Sequence, residues 1–175
     1  MGDASAIVKL TIEAREILSS AIKAGVVPST VLEDLDLRNG TSDGQIDLAF
    51  ARTETAKAAS STTTYALDGT VTDSFGIAIT FAEVVLVLVR NRRTTALAWL
   101  QVGPNGANGF GVLNGNKGLW NVAADRSTVG PEGWYCAYDP VGVVVDGTHS
   151  DLDVDCSAVA GATNSWDILI LGRSA

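Results

Sequence analysis

The residues best suited to metal chemistry lie in the segment THSDLDVDC, where acidic residues alternate with apolar ones. Four side chains occupy every second position: His149, Asp151, Asp153 and Asp155. On a β-strand this spacing places them on one face, and carboxylates with an imidazole are ligands for divalent cations. A calcium loop of alternating acids also needs glycine at its sixth and glutamate at its twelfth position. Cys156 and Ala162 stand there, so we interpret the segment as the solvent face of a strand and predict no metal site.

Nucleophilic catalysis would need a thiol or hydroxyl beside His149, the single histidine of the chain. Cys136 and Cys156 are the only cysteines, and neither lies at a recognisable helix start or nucleophile turn. No spacing indicates a Ser–His–Asp grouping. We therefore predict no catalytic residues and no enzyme activity. Without a secretory signal we expect two free thiols, and a disulfide is the alternative if the two strands are neighbours.

A stretch rich in glycine and asparagine, residues 103–111 (GPNGANGFG), has spacing similar to that of a phosphate-binding loop. Such a loop needs a following helix whose N-terminus faces the anion. The residues that follow, VLNGNKGLW, are poor helix formers, so we predict a long hairpin connection and no bound cofactor. Loops of this kind also serve as contact surfaces. The candidate contact residues are Asn105, Asn108, Phe110, Asn114 and Trp120.

Four tryptophans raise the question of sugar binding, because carbohydrate-binding modules place aromatic rings on exposed faces. Trp99, Trp134 and Trp166 each lie within an apolar strand pattern, which favours packing in the core. Trp120 is flanked by a polar loop, so it is the one that we expect to be exposed.

The charge of the chain argues against a nucleic-acid partner. Its 175 residues carry a formal net charge of −8, whereas nucleic-acid binding needs a basic face. The one basic cluster, Arg90, Arg92 and Arg93, we interpret as a solvated strand end. Only 18% of the residues are charged, against about 25% in an average domain. So few charges suggest a surface that is partly covered by partners, or loops rich in small polar residues.

The most apolar stretch, Phe75–Val89 (FGIAITFAEVVLVLV), predicts the central strand. β-branched residues dominate it, and its second half is apolar at both parities, as in a strand buried on both faces. Glu83 is its one acid, and we expect it to mark where the strand emerges or bulges. The apolar run is shorter than the roughly 20 residues of a membrane span, and residues 1–10 lack the pattern of a signal peptide. We therefore predict no membrane partner.

Further strands are predicted by alternation of apolar and polar residues and by turn signals between them. Residues 6–24 fit a strand through about Ala14, followed by a second strand or a short helix, and Gly25 and Pro28 end the segment. Turns are predicted at Asn39-Gly40, Asp68-Gly69 and Asp139-Pro140. The other predicted strands are Val31–Leu37, Ile46–Phe50, a pair within Ala58–Leu67, Ala96–Val102, Leu119–Val122, Trp134–Tyr138, Val141–Val145, Leu152–Val154 and Trp166–Leu171. Nine or ten short strands without strand–helix–strand units favour a sandwich, jelly roll or barrel.

Residues 39–175 resemble a group of small virion proteins of tailed bacteriophages. The resemblance is carried by NGTSDGQ, by the segment from Leu67 to Ala82 (LDGTVTDSFGIAITFA), by QVGPNGANGF and by the terminal SWDILILG. These motifs consist of turn and packing residues. What they imply is a β-sandwich structural component of a virion without catalytic residues. The segment before Asn39 and the tryptophan-rich stretch LWNVAADRSTVGPEGWYCAYDP depart from the pattern.

Together these observations predict an all-β, jelly-roll-like antiparallel β-sandwich at residues 39–175, preceded by an N-terminal arm at residues 1–38 that docks on a neighbour. We expect a subunit that associates with copies of itself and with the major capsid protein or other virion proteins, in a particle assembled in the host cytoplasm. A capsid decoration or head-vertex subunit is the favoured role. A tail component (adaptor, fibre or knob subunit) and a carbohydrate-binding module that contacts the host surface are the alternatives.

Overall fold

The fold consists of β-strands joined by turns, with a single turn of 3₁₀ helix at Gly106–Asn108. The computed structural model describes residues 6–19, 24–73, 76–95, 97–112, 118–122, 124–157 and 163–175. In these ranges no helix has the length and apolar character that crossing a membrane requires. The strands are β1 (Ala6–Ser19), β2 (Ala24–Asn39), β3 (Gln45–Ile46), β4 (Leu48–Ala58), β5 (Thr62–Ala66), β6 (Asp68–Thr72), β7 (Ala78–Thr80), β8 (Glu83–Asn91), β9 (Leu100–Pro104), β10 (Ser127–Val129), β11 (Trp134–Val144), β12 (Asp151–Cys156) and β13 (Thr163–Arg173).

Eight of these strands form two four-stranded antiparallel sheets that pack on each other. We call them the first sheet, in the order β11-β8-β13-β4, and the second sheet, in the order β10-β9-β12-β5. Numbered along the chain from β4, the eight strands follow the orders 6-3-8-1 and 5-4-7-2. The chain passes from one sheet to the other at every connection between them except the one from β9 to β10. This is the strand order of a jelly roll, which contains two Greek keys, so the predicted all-β sandwich of jelly-roll type is confirmed.

The core lies between the two sheets and is made of residues at alternate strand positions. Phe50 of β4 and Trp166 of β13 face Tyr65 of β5, and all three are at most 2% exposed. The Trp166 indole Nε1 donates a hydrogen bond to the Tyr65 hydroxyl at 3.0 Å, which satisfies the polar atoms of both buried rings. Asn91 closes one end, since its Nδ2 donates to the carbonyls of Ala98 and Val129.

The predicted central strand Phe75–Val89 is two strands, β7 and β8, so its extent was wrong. The break lies at Phe81 and Ala82, whose backbone N–H groups donate to the carbonyls of Leu67 and Arg173. β7 pairs with β6 in a small two-stranded sheet, whereas β8 lies in the middle of the first sheet. Burial of β8 on both faces is confirmed, and Glu83, where the strand begins, lies beside register shifts in both neighbouring strand pairs.

Several predicted boundaries differ because turn-forming residues lie inside strands. Gly25 and Pro28 belong to β2 instead of ending the first segment, and Asp68-Gly69 opens β6. Pro140 lies within β11, which runs without interruption from Trp134 to Val144. β11 is an edge strand, where the missing N–H of a proline breaks no ladder hydrogen bond. The predicted strand at 119–122 is reduced to one bridge between Val112 and Trp120.

The position of β8 generates a direct test of the fold. Val87→Asp should prevent folding, because Val87 is 1% exposed in the core and an unpaired buried carboxylate costs several kcal/mol. Val144→Asp is the control, since Val144 lies on β11 and is 52% exposed. Circular dichroism and thermal unfolding should show a native Val144→Asp protein and no cooperative transition for Val87→Asp. A native-like Val87→Asp protein would contradict the assigned strand.

Candidate assembly surface

The outer faces of the two sheets differ in chemistry. The second sheet is polar on its outer face, with residues in register across three strands: Thr62, Thr64, Gln101, Gly103, Asp151, Asp153 and Asp155. Hydroxyl–carboxylate hydrogen bonds join neighbouring strands there, from Thr62 to Asp155 and from Thr64 to Asp153, both at 2.6 Å. A polar, internally bonded face of this kind is suited to contact with water.

Arg126 supplies the positive charge among the aspartates of this face. Its Nε lies 3.2 Å from Oδ2 of Asp155, and its Nη2 lies 3.8 Å from Oδ2 of Asp153. Gly103 makes room for this side chain, because a Cβ there would lie 2.5 Å from Cδ of Arg126. Asp153 is only 4% exposed, so the expectation of a wholly solvated aspartate face was wrong at this residue. Burial raises the pKa of the Asp153 carboxyl, and the Thr64 hydrogen bond opposes that rise.

His149 contacts a different carboxylate, that of Asp146. Its Nδ1 lies 3.0 Å from Oδ1 of Asp146, which also accepts hydrogen bonds from the backbone and hydroxyl of Thr148. These contacts, those of Thr148 first, lower the pKa of Asp146 to about 2. The histidine and the three strand aspartates therefore do not converge on one point. Among the residues that the structure describes, no group of three or more histidine, cysteine, aspartate or glutamate side chains is placed to hold a metal ion.

The candidate contact loop is turned inward at its two aromatic residues. Phe110 is fully buried in the core, and its N–H donates to the carbonyl of Asp151 at 2.8 Å. Trp120 is 6% exposed and stacks on Tyr135 with a ring-centroid distance of 5.8 Å, so the expectation that it is exposed was wrong. Asn105 is half-buried and Asn108 is exposed, and for these two a contact role stays a prediction. Asn114 lies outside the described residues.

A neighbouring glycine is the sequence signal for the buried position of the Trp120 ring. Gly111 has φ +76°, and a Cβ there would lie 2.8 Å from the Trp120 ring. A glycine-rich stretch that the sequence predicts to be a long hairpin connection thus packs closely against an aromatic ring. The indole Nε1 of Trp120 still reaches the Ser127 hydroxyl at 3.4 Å.

The remaining tryptophans divide between core and surface. Trp166 is buried, as expected, and Trp99 is half-buried. Trp134 is 58% exposed, so its predicted place in the core was wrong. It lies on the outer face of edge strand β11, where the guanidinium of Arg90 covers its ring at 5.1 Å from the centroid. A cation over an indole face stabilises both groups at a surface.

The outer face of the first sheet is apolar. We define the apolar outer face as eight residues in two rows across the four strands: Cys136, Leu88, Leu169 and Ala51 in one row, and Tyr138, Leu86, Leu171 and Ala49 in the other. The next row along the strands, from Trp134 to Thr53, contains two charged residues, Arg90 and Asp167. This face would meet water directly unless another element covered it.

Only part of the apolar outer face is covered within the chain. Leu37 and Ile46 pack with Val85, Leu86 and Leu171, and these residues are at most 1% exposed. Leu88 and Leu169 beside them are half-buried, whereas Ala51 and Cys136 are exposed and Tyr138 is 38% exposed. The covered residues Leu86 and Leu171 therefore lie next to the row of Cys136, Leu88, Leu169 and Ala51, whose two ends are exposed and which we call the uncovered row.

The cover comes from the base of an N-terminal ribbon, which we define as the antiparallel pair β1 and β2 (Ala6–Ser19 and Ala24–Asn39). Of the strands in the described part of the chain, β1 pairs with β2 alone, and β2 reaches the rest through β3 at Arg38 and Asn39. That residues 6–24 begin as a strand is confirmed, but β1 continues to Ser19, past the predicted end near Ala14, and β2 begins at Ala24. The assignment of residues 1–38 to a separate arm stays a prediction.

The register of the ribbon separates a largely apolar set of positions, which we call the apolar set, from a mixed one. The apolar set, in register with Leu37, is Ala6, Val8, Leu10, Ile12, Ala14, Glu16 and Leu18 of β1 with Gly25, Val27, Ser29, Val31, Glu33, Leu35 and Leu37 of β2. The alternate set contains most of the charges, at Lys9, Glu13, Arg15, Asp34 and Asp36. Alternate positions belong to opposite faces of a strand, so one face of the ribbon is largely apolar.

Arg173, at the end of β13, links the base of the ribbon to the sandwich through an ion pair and hydrogen bonds. Its guanidinium is 1% exposed, with Nη2 at 2.5 Å from Oε2 of Glu83. Nη1 donates to the carbonyl of Ser42 at 2.7 Å, in the turn between β2 and β3, and Nη2 donates to the carbonyl of Val141. Sequence reasoning missed this residue, and the signal was a single cation directly after the apolar run ILILG.

The two cysteines are free thiols on different sheets, which confirms the expectation that they do not pair. Cys136 is exposed on the apolar outer face and Cys156 is buried in the core. Partial loss of solvent around the exposed Cys136 and burial of Cys156 raise the pKa of both thiols, which disfavours the nucleophilic thiolate.

Comparison with known proteins gave no relative: no protein-family model, no curated protein and no solved structure matches this chain. The resemblance to virion proteins of tailed bacteriophages therefore stays a prediction.

The Arg173 site predicts a measurable loss of stability. Glu83→Ala leaves the buried guanidinium with Asp43, an exposed carboxylate 3.6 Å away, and uncompensated buried charges cost about 3 kcal/mol or more. We expect the free energy of unfolding in urea to fall by about that amount. Asp68→Ala, at an exposed position, is the control and should change it by less than about 0.5 kcal/mol. Equal stabilities of the two variants would show that Glu83 does not hold Arg173.

The buried carboxyl of Asp153 predicts a pH effect. Because the folded-state pKa is raised above the ordinary value of 3.8, its contribution to stability is full below that pH and is lost as the pH rises through the folded-state pKa. Asp153→Asn removes this titration, so the free energy of unfolding should decline less as the pH rises from about 3. Urea unfolding at a series of pH values checks this, with Asp68→Asn as the control. An unchanged pH profile in Asp153→Asn would assign the decline to other groups.

Proposed function

We propose that this protein is a non-enzymatic, self-associating structural subunit of a bacteriophage particle, with the N-terminal ribbon as its docking arm. One observation carries the proposal. The ribbon has a largely apolar face and pairs with no strand of the two sheets, while the sandwich leaves part of its own apolar outer face uncovered. An isolated two-stranded hairpin is at best marginally stable in water, so such a ribbon gains its stability from a partner.

The fold is compatible with this role without requiring it. Jelly rolls occur in viral capsid proteins but also in lectins and cupins, so function is argued from the surface and not from the fold. The resemblance in residues 39–175 supports a virion origin. The net charge of −8 and the low fraction of charged residues support a protein partner over nucleic acid.

Within the particle we favour a capsid decoration or head-vertex subunit that docks through apolar contacts on its own copies and on the major capsid protein. A tail component, such as an adaptor, fibre or knob subunit, rests on the same surface observation and is the second candidate. Imaging of purified particles with the subunit located distinguishes the head from the tail.

The carbohydrate-binding alternative now depends on a different residue. Trp120 is buried, so the exposed Trp134 with Arg90 over its ring is the aromatic group that could stack on a sugar. A glycan array with the native protein and Trp134→Ala tests it, and absence of binding by the native protein would exclude it.

The docking role predicts the effect of removing the arm. A chain that lacks residues 1–30 should fold, because the eight sandwich strands begin at Leu48, and it should lose both self-association and incorporation into particles. Light scattering over a range of concentrations, circular dichroism and analysis of purified particles measure these three properties. A full-length chain that is monomeric at high concentration would contradict self-association, and an unfolded truncated chain would show that the arm belongs to the core.

A further inference from the structure

We infer that the uncovered part of the apolar outer face is the receptor for the N-terminal ribbon of a second copy of this chain. The inference rests on the proposed self-association and identifies both halves of the contact. The donor is the apolar set of the ribbon, and the receptor is the row of Cys136, Leu88, Leu169 and Ala51 together with Tyr138.

The contact at the ribbon's base shows that the two surfaces fit. Leu37 is a member of the apolar set, and it is buried against Leu86 and Leu171 of the outer face. The uncovered row lies next along the same strands, because Leu88 and Leu169 are each two residues away from these partners. The proposed contact therefore extends an interface that already exists within the chain.

The ribbon is much longer than the uncovered surface beside its base. At 3.2–3.4 Å per residue the 14 paired positions of the ribbon span about 45 Å. Along the strands, the apolar outer face continues past Leu86 and Leu171 by one row only, about 7 Å, before Arg90 and Asp167 introduce charge. The ribbon is therefore several times longer than the uncovered row beside its base, and a second copy presents the same row.

The exposures of the receptor residues agree with this arrangement. Cys136 and Ala51 are exposed and Tyr138 is 38% exposed, so the chain's own ribbon does not cover them. Charge is also complementary at the end of the row. Arg90 has no carboxylate partner among the described residues, and the only charged residues of the apolar set are acids, Glu16 and Glu33.

Addition of the ribbon to a sheet edge is less favourable than packing on the face. Edge strand β11 contains Pro140 and a register shift after Tyr138. The other edge strand, β4, has Arg52 and Lys57, and Ala56 there has φ +53°. Prolines, bulges and charged residues are the features that prevent strand addition at edges.

The native thiol of Cys136 reports occupation of the receptor. Full-length protein is treated with a maleimide at a concentration where it is associated, and the labelled peptide is identified by mass spectrometry; Cys156, buried in the core, is the internal reference. We expect Cys136 to be protected. Ile12→Asp, in the apolar set, should abolish protection, whereas Thr11→Asp, at the adjacent position of the other set, should retain it.

A crosslinking series identifies the donor and its chain. Cysteine is introduced at successive positions 10 to 15, and a short bifunctional maleimide joins it to Cys136. Crosslinks between chains should form from Leu10→Cys, Ile12→Cys and Ala14→Cys and not from Thr11→Cys, Glu13→Cys and Arg15→Cys, in the period of two that a face contact requires. Ala51→Arg should abolish them, while Thr128→Arg, at an exposed position of the second sheet, should not.

The outcomes separate this inference from the proposed function. If the protein associates but Cys136 reacts freely and no crosslink forms, the receptor is elsewhere and the inference fails while self-association stands. If the crosslinks form within one chain, the ribbon covers its own sheet and the inference is overturned. If the protein stays monomeric with Cys136 reactive, self-association itself fails.

Discussion

The central strand β8 is apolar on both faces, and one sandwich can cover only one of them. Val84, Val87 and Val89 pack between the two sheets, whereas Leu86 and Leu88 belong to the outer face. At roughly 25 cal/mol for each Å² of apolar surface removed from water, leaving such a face exposed is unfavourable. The contacts on the outer face of the first sheet follow from this constraint. Leu37 and Ile46 cover Leu86 and Leu171, and Arg173 donates a hydrogen bond to the turn between β2 and β3. The adjacent row keeps exposed residues at both ends.

The two sheets therefore have different roles. The second sheet carries hydroxyl–carboxylate pairs and Arg126 on its outer face, where each polar group has a partner or meets water. These are the residues that looked most like a metal site in the sequence. The structure gives them a local role, because Arg126 lies between Asp153 and Asp155 and His149 is engaged by Asp146. The alternating acidic residues, which suggested a metal site, instead form the polar outer face of the second sheet.

The structural features that depend on local periodicity could be predicted from the sequence. The all-β class, the double-sided burial of β8 and the first strand were accessible because alternation and β-branched residues report burial directly. The division of Phe75–Val89 at Phe81 was not, since the break is made by hydrogen bonds to Leu67 and Arg173, which are distant in sequence. Trp120 and Trp134 were assigned to the wrong environments for the same reason. The burial of an aromatic ring depends on which strand is an edge and on which glycine lies beneath it.

Amide hydrogen–deuterium exchange at several protein concentrations shows whether a second copy of the chain covers the apolar face of the ribbon. If it does, the amides of residues 6–19 exchange rapidly in dilute protein and become protected as the concentration rises. The amides of β8 and β13 should stay protected throughout, because their partners are within the chain. Ribbon amides that show the same protection at every concentration would place the cover within one chain and exclude a second copy as the cover.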